Sequence, residues 1–275
     1  MYSGTTLRSS SGKVLGAHQK IDRVARRALA QVAPELPFPG IKAIVHFEGM
    51  NGPDGLKRKS PARDEPWHYY NPANPDDTAI LTMILDHRAN LIKAISEHNR
   101  ERAAFEAAWM AHAIVDGLTP AHHAPLEEAI EQLRGEGIET RTTIYKKLVY
   151  PGNNPRERFR NNWYVWGAGG VMTTHSTYEW GVATSIASLK LQQGYPDKME
   201  CQRVVRLGID EIFQEAASKI YSMKMYTTFQ KKGWTSKLAR QTREVLAPLI
   251  VKVVALAWYE AAYQAHQLER GTSKP

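Results

Sequence analysis

The stretch AWMAHAIVDGLTPAHHAPLEE, residues 108–128, decides the fold. Ala108, Trp109, Ala111, Ala113, Ile114, Val115 and Leu118 make a helix with almost no polar face, and Gly117 and Pro120 end it. His112 and Asp116 stand four residues apart on that helix, so they share one side, a turn from each other. A buried carboxylate is expensive without a neutralising partner, so the segment needs a charge or an ion to satisfy it.

Outward from this helix the same periodicity recurs. Residues 16–33 carry Ile21, Val24, Ala25, Ala28 and Leu29 on one side and stop at Pro34. Residues 34–77 are dense in Pro, Gly, Asn and Asp, which predicts loop with at most short turns. Two long helices fill 77–117, the first opened by Asp77 or Thr78 as N-cap. A further helix follows at LEEAIEQLRG (126–135), and 135–173 reads as irregular. Helices resume at about 176–193, 197–230 and 236–267, broken at GYPDK and KKGW. No repeat and no credible run of strands interrupts this pattern. The expectation is an all-α chain, with residues 1–15 as a disordered tail and 16–275 as a single domain.

The 275 residues suffice for a sizeable core. A formal charge of +8 and a pI near 9.4 predict attraction to anions such as nucleic acid, anionic lipid or phosphorylated small molecules. Cys201 is the only cysteine, so no intrachain disulfide forms. The first twenty residues contain no apolar core of signal-peptide length, which predicts a cytoplasmic location as written, or a secreted one if the start has been trimmed. The segment VLAPLIVKVVALAW (245–258) is short for a bilayer span and contains Lys252, so it reads as a buried helix rather than a transmembrane one.

The chemistry-bearing residues recur in pairs. His112-x3-Asp116 is followed by His122, or by His123 as the alternative, in a helix-ending turn. His175 and Glu179 repeat the four-residue spacing at another helix start. Asp54 and His68 lie in the long loop, the latter beside Trp67, Tyr69 and Tyr70, and His18 heads the first helix. Imidazoles and carboxylates converging from rigid elements make a site for zinc or a similar ion. The alternative is an internal His112–Asp116 core pair with solvated loop histidines.

The order His18, Asp54, His68, His112-x3-Asp116-x5-His122, His175-x3-Glu179 resembles the ligand pattern of bacterial zinc-dependent phospholipases C and the related single-strand-specific fungal nucleases. The segment H-x3-D-x3-P-x-H is matched by His112, Asp116, Pro120 and His122. The resemblance implies an all-α fold with zinc ions at the bottom of a cleft. One would be held by Asp54, His68, His112 and Asp116, and one by His122, His175 and Glu179. His18 would help hold another shared through Asp116. The family completes this third site with an N-terminal tryptophan, and no tryptophan precedes His18. Two or three ions are therefore expected, with His46 or Glu48 as substitute ligands. Residues 123–174 are longer than the family's interval and read as an insertion.

By similarity, the activity would be hydrolysis of a phosphodiester, with Asp54 orienting or deprotonating a metal-bound water. Two basic stretches, LKRKSPAR (56–63) and NNPRERFRNNWYVW (153–166), could border the cleft. Trp67, Tyr69, Arg158 and Trp163 are the candidate substrate-binding residues. Arg with aromatics suits either single-stranded nucleic acid or peripheral contact with a lipid surface. The Asp54-to-His68 spacing and Glu179 resemble the phospholipases more, with the nuclease as the alternative. A third possibility is an all-α metal-binding protein without turnover.

Overall fold

The computed structural model describes residues 1–4, 16–57 and 59–272. The disordered tail expected over 1–15 therefore falls, from residue 5 onward, outside the described residues; Met1, Ser3 and Gly4 are buried. The fold is all-α, with no strand among the described residues.

The helices in chain order are α1 (Ala17–Val32), α2 (Ile41–His46), α3 (Pro53–Leu56), α4 (Ala79–Ser96), α5 (Arg100–Gly117), α6 (Leu126–Arg134) and α7 (Ile144–Leu148). They continue as α8 (Pro155–Trp166), α9 (Val171–Ile186), α10 (Lys198–Leu207), α11 (Ile209–Ser222), α12 (Met225–Lys232), α13 (Ser236–Gln241) and α14 (Ala247–Thr272). A π turn over Thr242–Leu246 joins the last two. Pro248 lacks an N–H and its ring crowds the carbonyl four residues back, so a widened turn just before it lets the helix continue.

α14 is the central post, with α1, α4, α5, α10 and α11 packed around it. The helix Ser236–Arg270 is long and apolar enough to cross a membrane, which corrects the view of this segment as too short; yet 78% of its most apolar window is buried in the fold, as expected of a core helix. α5 is buried over almost its whole second half because both faces are covered, which explains its missing polar stripe. Asn99 Oδ1 caps its start by accepting from Arg102 N at 3.1 Å. Gly117 ends it where a Cβ would lie 2.6 Å from Phe213 Cζ, so only glycine lets α11 approach.

Three sequence expectations are corrected. The loop 34–77 contains the six-residue helix α2. The region 135–173, read as irregular, contains two helices, α7 and α8; Asn154 Oδ1 accepts from Glu157 N at 2.9 Å and Pro155 occupies the first turn of α8, a capping signal hidden among Pro, Gly and Asn. The stretch 197–230 is three helices, broken at Gly208 (φ 91°) and at Lys224 (φ 50°).

Candidate metal centre

Six pieces of chain deliver side chains to one buried cluster. α1 brings His18, α3 brings Asp54, and the extended segment before α4 brings His68. The last two turns of α5 bring His112 and Asp116, a 3-10 turn (Pro120–His123) brings His122, and α9 brings His175 and Glu179. All eight expected ligands are thus neighbours.

Asp116 is the hub. Its Oδ1 lies 3.3 Å from His18 Nε2 and 3.4 Å from His122 Nδ1, while its Oδ2 lies 2.6 Å from His68 Nδ1 and 3.0 Å from His112 Nε2. On the other side Glu179 Oε1 is 2.8 Å from His122 Nε2 and 3.1 Å from His175 Nε2. Three groups are compact enough to hold an ion, each with its donor atoms within 4.8 Å of one another: Asp54, His68 and His112; His122, His175 and Glu179; His18, Glu48 and His112.

The choice between His122 and His123 is geometric. His122 Nδ1 donates to the His68 carbonyl at 2.6 Å, so in the neutral ring its Nε2 keeps a lone pair aimed at the cluster. His123 Nε2 donates to the Gly117 carbonyl at 2.9 Å, which directs that ring elsewhere. Glu48 is buried and its Oε1 sits 2.9 Å from His112 Nδ1, the arrangement by which an outer carboxylate orients a ligating imidazole. His46 is exposed and stacks edge-on against Phe47, outside the cluster.

Two members were not read from sequence. The α-amino group of Met1 is buried 2.6 Å from Asp116 Oδ1, 3.2 Å from Glu179 Oε1 and 3.4 Å from His122 Nε2. The only signal for it was the resemblance, whose third site is completed by an N-terminal residue; here a Met1 amine, not a tryptophan, reaches the cluster. Lys57 Nζ, read only as part of a basic stretch, pairs with Asp54 Oδ1 at 2.9 Å.

Burial would raise the Asp116 carboxyl, but the Met1 ammonium and the surrounding imidazoles of His122, His112 and His18 hold it well below the usual range. Glu179 is likewise kept ionised against burial, by the Met1 ammonium and His175. Burial also opposes Asp54, and Lys57, then His112, keep it ionised. Burial, reinforced by Lys57, lowers His68 to about 4; burial and the Met1 ammonium lower His122 to about 3. Both rings are therefore neutral at pH 7, the form that binds a metal.

The donor set fits a divalent cation. Several of its buried atoms lack a hydrogen-bond partner, among them both ring nitrogens of His18, His68 Nε2 and His175 Nδ1. Such atoms are costly unless something else satisfies them. The cluster forms the floor of a cleft of about 390 Å³, walled by Tyr2, Lys57, Tyr69, Met172 and Trp180. A larger cleft of about 500 Å³, between Pro37–Ala43 and the start of α5, has no such cluster of ionisable groups. Of the expected substrate-binding residues, Tyr69 lines the cleft and Trp67 packs edge-on behind it. Arg158 and Trp163 do not; both sit on the exposed side of α8.

The acid sensitivity of the metal-free fold follows from three rings. Burial lowers His68 and His123 to about 4 and, with the Met1 ammonium, His122 to about 3, while an unfolded histidine titrates near 6.5. Their contribution to stability is fully present above about pH 6.5 and is lost as the pH falls toward 4, because the unfolded chain binds protons first. His112, raised by Glu48 and Asp116 against burial, gains stability as the pH falls through about 6.5 and so opposes part of the loss between pH 7 and 5.5, but it adds nothing further below that, where the unfolded chain is protonated too. Chelator-treated protein is expected to melt at progressively lower temperature at pH 7, 5.5 and 4.5. A melting point that holds or rises over that series contradicts this.

No family model, no curated protein and no solved structure matches the chain, so its function is argued from these side chains.

Proposed function

We propose that the chain is a zinc-dependent phosphodiester hydrolase of the phospholipase C type. The observation that carries this is the convergence of five imidazoles with Asp54, Asp116 and Glu179, of which His68, His122, His175 and the three carboxylates line an open cleft. Asp54, His68, His112 and Asp116 would hold one ion, and His122, His175 and Glu179 a second. Asp116 Oδ1 meets both His18 Nε2 and the Met1 amine, and a third would sit among these groups. Bound zinc supplies a water of lowered pKa and positive charge against a phosphate.

The chain's own groups supply the remainder. Asp54 stays ionised at the cleft edge and accepts the proton of the attacking water as its oxygen bonds to phosphorus. Burial opposes the charge of Lys57, but the Asp54 carboxylate raises it above its ordinary range, so an ammonium is always present to bind a non-bridging phosphate oxygen. Burial keeps the Tyr69 phenol protonated as a second donor. The P–O bond to the alcohol breaks, and the leaving oxygen takes the proton that Asp54 accepted from the water. Met172, Tyr2 and Trp180 give one wall an apolar character suited to the glycerol and first acyl carbons of a lipid.

Lys57→Met is expected to lower kcat/KM on a phosphodiester by about a hundredfold while leaving the zinc content unchanged. Elemental analysis beside steady-state kinetics checks it; full activity would remove Lys57 from the site.

The class is tested by incubating purified protein with a choline phospholipid and, separately, with single-stranded DNA. Release of phosphocholine supports the reading. Cleavage of DNA to 5′-phosphates supports a single-strand-specific nuclease instead, and bound zinc with neither product supports a metal-binding protein without turnover.

A further inference from the structure

Eight of the twelve large apolar side chains exposed among the described residues lie between residues 144 and 180, on α7, α8 and α9, and α8 packs against α9 and bonds to the end of α7. α8 presents Phe159 (69% exposed) and Trp163 (59%) on consecutive turns, their rings stacked with centroids 6.1 Å apart. Tyr145 (66%) and Leu148 extend the patch from α7. The Trp166 indole N–H donates to the Leu148 carbonyl at 2.8 Å, so its polar end is satisfied internally and its ring remains for an apolar partner.

The same two helices carry Lys146, Lys147, Arg156, Arg158 and Arg160, against a single acid, Glu157, in 144–166. Lys147 is tied to Glu65 and Arg160 to Glu157, whereas Lys146, Arg156 and Arg158 have no side-chain ion pair among the described residues. The platform is firmly mounted. Val165 joins Leu126, Ile130 and Tyr150 in a second small core, against which the cleft residues Tyr69 and Met172 pack. α9 packs beside α8 and carries Trp180, half-exposed, to the lip of the cleft.

We propose that the α7–α8 face is a docking surface for an anionic phospholipid bilayer, seating the molecule with the cleft at the lipid–water boundary. Aromatic rings beside basic side chains match the interfacial layer, where rings lie at headgroup depth and cations meet anionic lipid. The aromatics stand on a convex helix face beside aliphatic Ile144 and Leu148, which offer no plane for a base; single-strand binders instead track the backbone through a groove. This inference deepens the phospholipase reading and rests on it for the cleft's orientation, but binding is measurable without turnover.

The test is co-sedimentation of the full chain with vesicles of phosphatidylcholine alone and with about 30% phosphatidylserine, in about 0.1 M salt. Wild type is expected to partition at least about tenfold more strongly onto the anionic vesicles. Tyr145→Ser/Phe159→Ser and, separately, Arg156→Glu are each expected to weaken that partitioning by about fivefold or more, with melting temperature, zinc content and hydrolysis of soluble bis(p-nitrophenyl) phosphate unchanged. Vesicle binding equal in wild type and variants overturns the docking surface, as does absence of vesicle binding. Binding of an oligothymidylate that these variants abolish, without vesicle binding, assigns the face to nucleic acid. Vesicle binding through α8 by a protein that hydrolyses no phosphodiester keeps the docking surface and removes the hydrolase; hydrolysis without vesicle binding does the reverse.

Discussion

Asp116→Asn is expected to lower phosphodiesterase activity by about a thousandfold and to strip the protein of most of its zinc. The amide keeps the shape of the carboxylate but carries no charge and offers one acceptor oxygen in place of two. Both oxygens are in use: Oδ1 faces His18, His122 and the Met1 amine, and Oδ2 faces His68 and His112. An outer partner of a metal ligand is worth about 10–100-fold in affinity or activity, and a group shared between sites acts directly on more than one of them. The substitution also leaves the Met1 ammonium with Glu179 as its remaining carboxylate at close range. Elemental analysis and hydrolysis of a soluble phosphodiester, run on the same preparation, check both effects. Retention of zinc and activity would return Asp116 to an ordinary core ion pair.

The second large effect lies outside the cluster. Trp258→Ala is expected to cost about 3–5 kcal/mol of stability and to lower the melting temperature by about 10 °C. Trp258 is fully buried on α14, packs against Phe38, and donates its indole N–H to the Ala107 carbonyl on α5 at 3.0 Å. Truncation opens a cavity behind the helix that carries His112 and Asp116 and removes a buried hydrogen bond. Since an ion that binds only the folded state adds stability by mass action, added zinc is expected to restore part of the loss. Melting curves with chelator and with zinc measure both. A variant that melts within a degree or two of wild type would show that the core tolerates the void.

The cluster was legible wherever local geometry carries the information. A helix of 3.6 residues per turn turns His112-x3-Asp116 and His175-x3-Glu179 into same-face pairs, and a helix so apolar around His112 must be covered on both sides. Pro120 fixes the turn that brings His122 back. What was not legible depends on long-range return of the chain. The Met1 amine reaches Asp116 across 115 positions, and no periodicity encodes that contact. Glu48 could be named only as a substitute ligand, since its place behind His112 depends on how α2 packs against α5. α8 shows the opposite failure, because Asn154, Pro155 and Glu157 did encode a helix start. The surrounding Pro, Gly and Asn outweighed that signal. Arg158 and Trp163, candidate substrate-binding residues on a stretch that could border the cleft, are exposed on α8 and do not line it.

The central claim is that this buried set of histidines and carboxylates is a metal centre. Elemental analysis of the purified chain, with zinc counted per molecule before and after chelation, tests it most directly. Two or three zinc ions per chain, removed by chelator and regained on adding zinc with a rise in melting temperature, are predicted. A chain that carries no metal and whose melting temperature does not respond to zinc would contradict the account and leave Asp116 neutralised by the Met1 ammonium and its histidines alone.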